Sequence, residues 1–307
     1  MPKISAAMLT YNREQLVGEA IESVLAQTFR DFEFIIIDNG SGDRSGAIAD
    51  EYAARDGRIR VIHRARGNIG SGRNAGLDAA RGEYIAFVDD DDRCEPDFLE
   101  FLHALATDNE ADVSICGASD RACGETRMYS AEEAVIELLR RKRFNVQFPT
   151  KLIRRRLFDG LRFSESARYD DIELMPRILA GANRVAYRGL PKYTFRRHGG
   201  NNSAWTTNHS LLDADTLNEY LRVYRDRTEW LTKRFPNSAA AWRYFEWSFH
   251  ISMLEKVLRL GLTDCGKIAD GLERTLAAHG AEFLNSPHIR DFESMWMKRY
   301  VGNTQAG

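Results

Sequence analysis

The chain has 307 residues, a formal net charge of −2 and 43% hydrophobic residues. This length suits one large domain with an appendage or two ordinary domains, and the apolar content is enough to bury a sizeable core. Because acidic and basic residues nearly balance, the charge argues against a nucleic-acid-binding protein, which usually has a strongly basic domain.

Cysteine usage and the amino terminus suggest a cytoplasmic protein. The four cysteines are scattered without CxxC spacing, which argues against a zinc or redox site and predicts reduced thiols. No signal peptide is expected, and no apolar run approaches the roughly 18 residues needed to cross a bilayer. We expect any work at a membrane to be done from the surface, at the inner face of the cell membrane.

The amino-terminal third alternates between strand and helix patterns. Short apolar runs predict strands at 4–10, 32–37, 59–63 and 84–88. Helices are predicted at 14–27, 45–55 and 73–81, the last after a glycine-rich loop at 67–72. This alternation predicts a parallel sheet with helices on both faces, in which ligands bind beyond the carboxyl ends of the strands.

The rest of the chain is less regular and then becomes helical. Helices are predicted at 131–143 and 171–180, and short strands at 185–187 and 193–196. After a break at 198–203, long helices are predicted at 211–235, 239–260 and 265–279. We therefore predict a first domain over residues 1–204 and a helical carboxyl-terminal module over 205–307.

Four adjacent aspartates, Asp89 to Asp92, directly follow the strand predicted at 84–88. Neighbouring carboxylates repel one another, a cost that makes sense if they organise a divalent cation and a phosphate ester. A helix amino terminus also favours carboxylates, but capping needs only one of them. We therefore favour a metal site over a simple cap.

Other polar groups also follow predicted strands and should converge on the same crevice. Thr10 and Tyr11 end the first strand, and Asp38 and Asn39 end the second. The latter pair either meets a base or ribose or forms only a polar turn into the next helix, and the residues alone leave this open. The glycine-rich segment 68–76, with Arg73, is a weaker candidate for contact with phosphate.

Two further groups lie much later in the chain. Asp170 and Asp171 precede a predicted helix, where they either cap it or handle a proton. Arg197 and His198 have residue types that hold a diphosphate or complete a metal shell, although a lone histidine is usually structural.

Taken in order and spacing, these segments resemble the family 2 glycosyltransferases, which have the GT-A fold. The resemblance covers roughly residues 3–203 and rests on the segments LTYN at 9–12, SVLAQTF at 23–29, DFEFIIID at 31–38, RNAG at 73–76, GEYIAFVD at 82–89, KLIR at 151–154 and YDDIE at 169–173. Asn39 departs from the family, which commonly has a second aspartate there.

The resemblance implies a role for each site residue. Those implied to contact the donor are Thr10, Tyr11, Asp38, Asn39, Arg73, Asp89 and Asp90. Asp91 is implied to bind the metal, in the family's DxD motif, and Asp171 to be the catalytic base. His198 is implied to contact diphosphate or metal. Arg197 and Asp170 are further candidates, either for the diphosphate or metal or for supporting the base.

The implied activity is a Mn²⁺- or Mg²⁺-dependent, inverting transfer of a sugar from a nucleotide-sugar donor to a hydroxyl of a glycan or lipid-linked acceptor. UDP is the expected nucleotide, although Asn39 leaves the base open. A sugar nucleotidyltransferase and a non-catalytic nucleotide-binding protein are the alternatives. The basic runs 140–143 and 154–156 either face anionic lipid or an anionic acceptor or are solvated. For the aromatic stripe of the last helices, a core or a homodimer interface is favoured over a membrane anchor.

Overall fold

A computed structural model describes residues 1–119, 123–166, 170–198 and 208–302, without the side chain of Asp170. The contacts divide the chain into two units, Met1–Arg196 and Arg197–Gly307. The predicted domain boundary at residue 204 lies outside the described residues, and its position stays a prediction.

The first unit is built on one mostly parallel sheet. Its described strands are β1 (Ile4–Thr10), β2 (Phe32–Asp38), β3 (Ile59–His63), β4 (Tyr84–Asp89), β5 (Arg93–Cys94), β6 (Val113–Ala118), β7 (Thr126–Tyr129), β8 (Lys151–Arg154) and β9 (Val185–Thr194). They are ordered β3-β2-β1-β4-β8-β6-β9-β5, and β7 pairs with β9. The strands β3, β2, β1 and β4 are parallel, whereas β8 is antiparallel to both neighbours.

Helices connect and cover these strands. They are α1 (Val17–Leu25), α2 (Ser45–Ala53), α3 (Ile69–Ala79), α4 (Phe98–Asp108), α5 (Ala131–Arg140) and α6 (Asp170–Gly181), with a short 3₁₀ helix at Arg155–Phe158. In α1, Val17, Ile21 and Val24 are fully or almost fully buried at helical spacing. They pack with the central strands into one core cluster. The predicted GT-A architecture of a mostly parallel sheet with flanking helices is confirmed.

The prediction of a loop at 67–72 is wrong from residue 69 onwards, because α3 already begins at Ile69. Asn68 caps this helix by accepting a hydrogen bond from the backbone N–H of Ser71, 2.8 Å away. A Cβ at Gly72 would overlap the side chain of Leu9 in β1. The glycines here therefore permit close packing of a helix on a sheet.

The two short strands predicted at 185–187 and 193–196 are one strand, β9. The sequence Gly189-Leu190-Pro191 interrupts its apolar pattern. In the structure this stretch lies at irregular pairing with β6, where Gly117 is opposite Pro191. Proline is tolerated at such irregularities because a ladder hydrogen bond is already missing there. The strands β5, β6, β7 and β8 were not predicted.

The second unit consists of helices in its described part. They are α7 (Ala214–Arg234), α8 (Ala239–Leu260), α9 (Gly266–Ala278), α10 (Gly280–Leu284) and α11 (Asp291–Trp296), which continues as a π-helix at Met297–Val301; 3₁₀ turns lie at His209–Leu211, Pro236–Ser238 and Thr263–Cys265. Trp242, Phe245 and Met253 of α8 are buried within the unit, so most of the aromatic stripe is core. In the described residues, no helix is long and apolar enough to span a membrane.

The basic runs are largely engaged in ion pairs within the first unit. Arg143 pairs with Glu125 and Glu137, at 2.7 and 3.1 Å. Arg154 and Arg156 both pair with Asp112, at 3.1 and 2.7 Å. These contacts give the arginines a role inside the fold that the sequence did not indicate.

Candidate active site

Four polar strand ends meet at the carboxyl edge of the parallel strands. In the sheet register Thr10 pairs with Asp38, and Asp38 pairs with His63. On the other side of β1, Leu9 pairs with Asp89. The sheet therefore brings together groups that are up to about eighty residues apart, as the strand pattern predicted.

Within the aspartate run, Asp90 and Asp91 are buried, each with 9% of its surface exposed. Asp90 accepts a hydrogen bond from the backbone N–H of Tyr11 at 3.2 Å. The guanidinium of Arg13 lies 3.8 Å from a carboxylate oxygen of each of these aspartates. The loop after β1 thus holds the run in place and supplies a positive charge beside it.

The buried acids of this run are only partly compensated. Burial raises the pKa of Asp90 to about 7, the Asp91 charge adds to the increase, and Arg13 opposes it. Burial also raises the pKa of Asp92 to about 8, together with the nearby Asp89 charge. A cation bound beside such carboxylates stabilises their charged form and lowers their pKa values.

Asp92 has a partner of its own. Its Oδ1 accepts a hydrogen bond from the backbone N–H of Arg196 at 2.8 Å. Beside it, the hydroxyl of Tyr193 accepts from the backbone N–H of Asp89 at 3.0 Å. Asp92 therefore ties the run to the end of β9, and Tyr193 contributes a positioning contact that the sequence did not reveal.

Arg73 of α3 also reaches the crevice. Its guanidinium lies 4.0 Å from Asp89. The same group lies over the rings of Phe148 and Phe163, at 5.3 and 5.5 Å from their centres. The predicted donor residue Arg73 is thus held beside the acidic run by aromatic packing.

Asp38 is buried at the end of β2 and bound on both oxygens. Its Oδ1 accepts from the backbone N–H of Ser41 at 3.0 Å, and its Oδ2 lies 3.1 Å from His63 Nδ1. The other ring nitrogen of His63 lies 3.0 Å from Asp50 of α2. Hydrogen bonds to Asp38 and then Asp50 raise the pKa of His63.

Tyr11, predicted to border the base, is stacked against a residue of the loop after β3. The guanidinium of Arg66 lies 3.7 Å from the centre of the Tyr11 ring. Thr10, by contrast, is fully buried, and its carbonyl accepts from the backbone N–H of Asn39 at 3.0 Å. In this structure Thr10 therefore lies beneath the crevice surface.

The predicted base, Asp171, lies in the first turn of α6 and accepts a hydrogen bond from the N–H of Ile172 at 2.9 Å. The segment before the helix is held on α3, because the Asn74 amide donates to the Phe163 carbonyl and accepts from the Phe163 N–H, both at 3.0 Å. Asp170 begins α6, but its side chain is outside the described residues. Arg197 and His198 begin the second unit, and their roles stay predictions.

Comparison with known proteins identifies the family. A family model described as glycosyl transferase family 2 matches residues 5–165. The chain is a member of glycosyl transferase family 2. It is a glycosyltransferase, and the nucleotidyltransferase and non-catalytic alternatives are set aside.

One curated relative of this family 2 glycosyltransferase is GlyG of Streptococcus pneumoniae serotype 4, a named glycosyltransferase. It is 32% identical over an alignment of 215 positions, and the match covers 64% of this chain and 71% of GlyG. In three other curated glycosyltransferases the match spans between 36% and 61% of their length. The activity of the whole protein therefore belongs to the proposals below.

Solved structures share the fold at low sequence identity. Staphylococcus aureus TarS 1–349 in complex with UDP-GlcNAc is 18% identical, with a TM-score of 0.62 over 92% of this chain and 89% of that chain. The mannosyltransferase PcManGT from Pyrobaculum calidifontis, in complex with GDP-Man and Mn²⁺, is 16% identical, with a TM-score of 0.59 over 98% and 85%. These likenesses support the GT-A fold.

The acidic run fits a hard divalent cation bound largely by its substrate. Among the described residues, no three carboxylate, histidine or cysteine groups come together as a closed metal site. Mg²⁺ and Mn²⁺ often keep only one or two protein carboxylates and take their other ligands from phosphate and water. The buried carboxylates of Asp90 and Asp91 have this chemistry, and burial raises the pKa of Asp90 to about 7.

Four residues at or beside the crevice were not among the predicted site residues, namely Arg13, His63, Arg66 and Tyr193. A signal existed for Arg13, which stands two positions after Tyr11 at the same strand end. His63 is the last residue of a correctly predicted strand, and its position beside Asp38 follows from parallel pairing. No local pattern indicated Arg66 or Tyr193.

Proposed function

We propose that the protein is a metal-dependent, inverting glycosyltransferase that moves a sugar from a nucleotide-sugar donor, with UDP as the first choice, to an acceptor hydroxyl. The supporting observation is the partly compensated acidic run at the end of β4, beside Arg13 and Arg73. It offers oxygen ligands and cations together, as a nucleoside diphosphate bound with a divalent metal requires.

The donor is held by the edge of the sheet in this proposal. Asp91 is the metal ligand, with Asp89 and Asp90 supporting the donor. A bound Mn²⁺ or Mg²⁺ supplies Lewis-acid stabilisation of the leaving diphosphate. Arg73 adds positive charge to the same end of the donor, and Tyr11 borders its base.

Asp171 is the proposed general base. Its carboxylate takes the proton of the acceptor hydroxyl while that oxygen attacks the anomeric carbon. The bond from this carbon to the diphosphate oxygen breaks on the opposite face, so the configuration inverts and nucleoside diphosphate leaves. Arg197 and His198 are proposed to hold the diphosphate, and Asp170 to support the base.

The acceptor and setting are inferred from the same chemistry. We propose a glycan or lipid-linked acceptor with a free hydroxyl and a cytoplasmic enzyme working peripherally at the inner face of the membrane. Because Arg143, Arg154 and Arg156 of the basic runs 140–143 and 154–156 pair with acids of the fold, these three arginines give little support to lipid contact. A homodimer through the carboxyl-terminal helices is the proposed assembly.

The direct test is hydrolysis of a panel of UDP-, GDP- and dTDP-sugars in Mn²⁺ and in EDTA. We expect one nucleotide class to be hydrolysed, with the activity lost in EDTA. Hydrolysis that continues unchanged in EDTA would contradict metal dependence.

The base is tested with Asp171→Asn on the donor found in that panel. We expect transfer to fall by about 10²–10⁴-fold, the usual contribution of general-base catalysis. Calorimetry should give nearly unchanged affinity for the nucleoside diphosphate. Near-normal turnover of this variant would show that another group is the base.

A further inference from the structure

Both the nitrogen and the oxygen of the Asn39 side-chain amide bind the backbone of one residue, Gly67. Its Nδ2 donates to the carbonyl of Gly67 at 2.8 Å, and its Oδ1 accepts from the N–H of Gly67 at 3.3 Å. Turning the amide over would set donor against donor and acceptor against acceptor, so the pair of bonds fixes its orientation. Asn39 is also buried, with 4% of its surface exposed.

This contact joins two loops that already touch through their backbones. Gly40 follows Asn39 with a left-handed φ of +79°, and a Cβ there would lie 2.6 Å from the backbone nitrogen of Arg66. The N–H of Arg64 donates to the carbonyl of Asp38 at 2.9 Å. The amide of Asn39 is the side-chain bridge across this junction.

Gly67 stands between two elements of the proposed donor site. On one side, Arg66 is stacked on Tyr11. On the other, Asn68 caps α3, the helix that carries Arg73. A displacement of Gly67 would therefore move both the stacked pair and the first turn of α3.

We propose that Asn39 is a positioning residue that sets nucleotide affinity by fixing the loop 64–68, and that it does not itself choose the base. This inference rests on the proposed function, because it concerns the same donor site. The contact requires an amide. A carboxylate in its place accepts from the Gly67 N–H but presents its second oxygen to the Gly67 carbonyl, where a donor is needed.

The test is Asn39→Asp, with UDP and GDP as probes in Mn²⁺. At a pH of about 8, we expect the affinity for whichever nucleotide binds to fall about tenfold, the scale of a lost buried hydrogen bond. The order of preference between UDP and GDP should not change. A changed preference would show that Asn39 reads the base, and an unchanged affinity would also overturn the proposal.

Acid should rescue this variant. A protonated aspartic acid donates to the Gly67 carbonyl. The nucleotide affinity of Asn39→Asp should therefore approach that of the original protein as the pH falls to about 5. The charged groups around position 39 are Asp38 with its partner His63, and Arg64 and Arg66. Asn39→Ala adds no carboxylate beside them, so the pH dependence of its nucleotide affinity measures their own titration. If the affinity of Asn39→Asp stays equally far below that of the original protein in acid, the loss does not come from the hydrogen bond to the Gly67 carbonyl.

The matched control is Asn109→Asp, which makes the same change of charge at the end of α4. Asn109 also donates to a backbone carbonyl, that of Leu105 at 2.9 Å. We expect unchanged nucleotide affinity in this variant. An equal loss in both variants would show that the effect is not specific to the junction with Gly67.

A second readout separates this inference from the proposed function. The thermal midpoint of nucleotide-free Asn39→Asp should be lower than that of the original protein at pH of about 8 and recover in acid. If the original protein binds none of UDP, GDP and dTDP, the proposed function fails. If the thermal midpoint of nucleotide-free Asn39→Asp equals that of the original protein, Asn39 does not bridge the two loops. If Asn39→Asp does not fold, Asn39→Ala removes both bonds without a charge and should show the affinity loss without acid rescue.

Discussion

Buried carboxylates lie at both edges of the parallel strands, but their charges are balanced to different degrees. At the amino edge, Glu33 is buried but bound by Ser5 and Arg81, with Arg81 donating at 2.7 Å. At the carboxyl edge, Asp90 and Asp92 are buried with less compensation. Both edges contain arginine beside acid, so residue composition alone does not separate them.

The pKa values show the difference between the edges. Burial acts to raise the pKa of Glu33, but hydrogen bonds from Ser5 and Arg81 bring it below the ordinary value. Burial prevails at Asp90, whose pKa rises to about 7. A buried acid whose charge is balanced by hydrogen bonds and an arginine is typical of a structural contact. A buried acid at a strand end whose pKa stays raised is typical of a site that binds a charged ligand.

The largest expected effect comes from the carboxyl edge. Asp91→Asn should lower metal-dependent transfer on the order of 100-fold or more, because it removes a charged metal ligand. Its thermal midpoint should be unchanged or higher, since one of several repelling charges is gone. Steady-state kinetics and calorimetric melting measure the two effects. A variant that is strongly destabilised would show that Asp91 belongs with the structural acids.

The amino edge should respond in the opposite way. Glu33→Gln removes the charge that Arg81 and Ser5 bind, and we expect a loss of about 2 kcal/mol in the free energy of unfolding. Turnover per folded molecule should stay the same. Urea unfolding and an activity assay at low temperature measure this, and a large loss of turnover in the folded variant would remove the distinction between the edges.

The smallest effect is expected at His63, a compensated group within the carboxyl edge. Because its folded pKa is raised, its contribution to stability is fully present below about pH 6.5, its ordinary pKa, and is lost as the pH rises through the folded value. His63 is half exposed, so we expect less than about 1 kcal/mol. His63→Gln should match the original protein at high pH and be less stable only in acid. If the stability difference between His63→Gln and the original protein instead grew with pH, the folded pKa of His63 would be lowered and not raised.

Sequence patterns predicted the four parallel strands β1 to β4 of the amino-terminal third well, because each is marked by a short apolar run. The bounds predicted for β1 and β3 and for α8 agree with the structure. The strand β9 was split in two, because Pro191 falls where pairing is irregular. The start of α3 was missed because glycine has low helix propensity, which close packing against Leu9 overrides.

The sequence by itself determined the family, the alternation of strands and helices, and the acidic run at a strand end. These follow from local periodicity and from motifs whose spacing is visible in one dimension. Only the tertiary structure decided which acids are neutralised, because that depends on pairs distant in sequence, such as Arg81 with Glu33 and Arg13 with Asp90. It also decided that Asn39 binds Gly67, since an amide has the same composition whether it faces a base or a backbone.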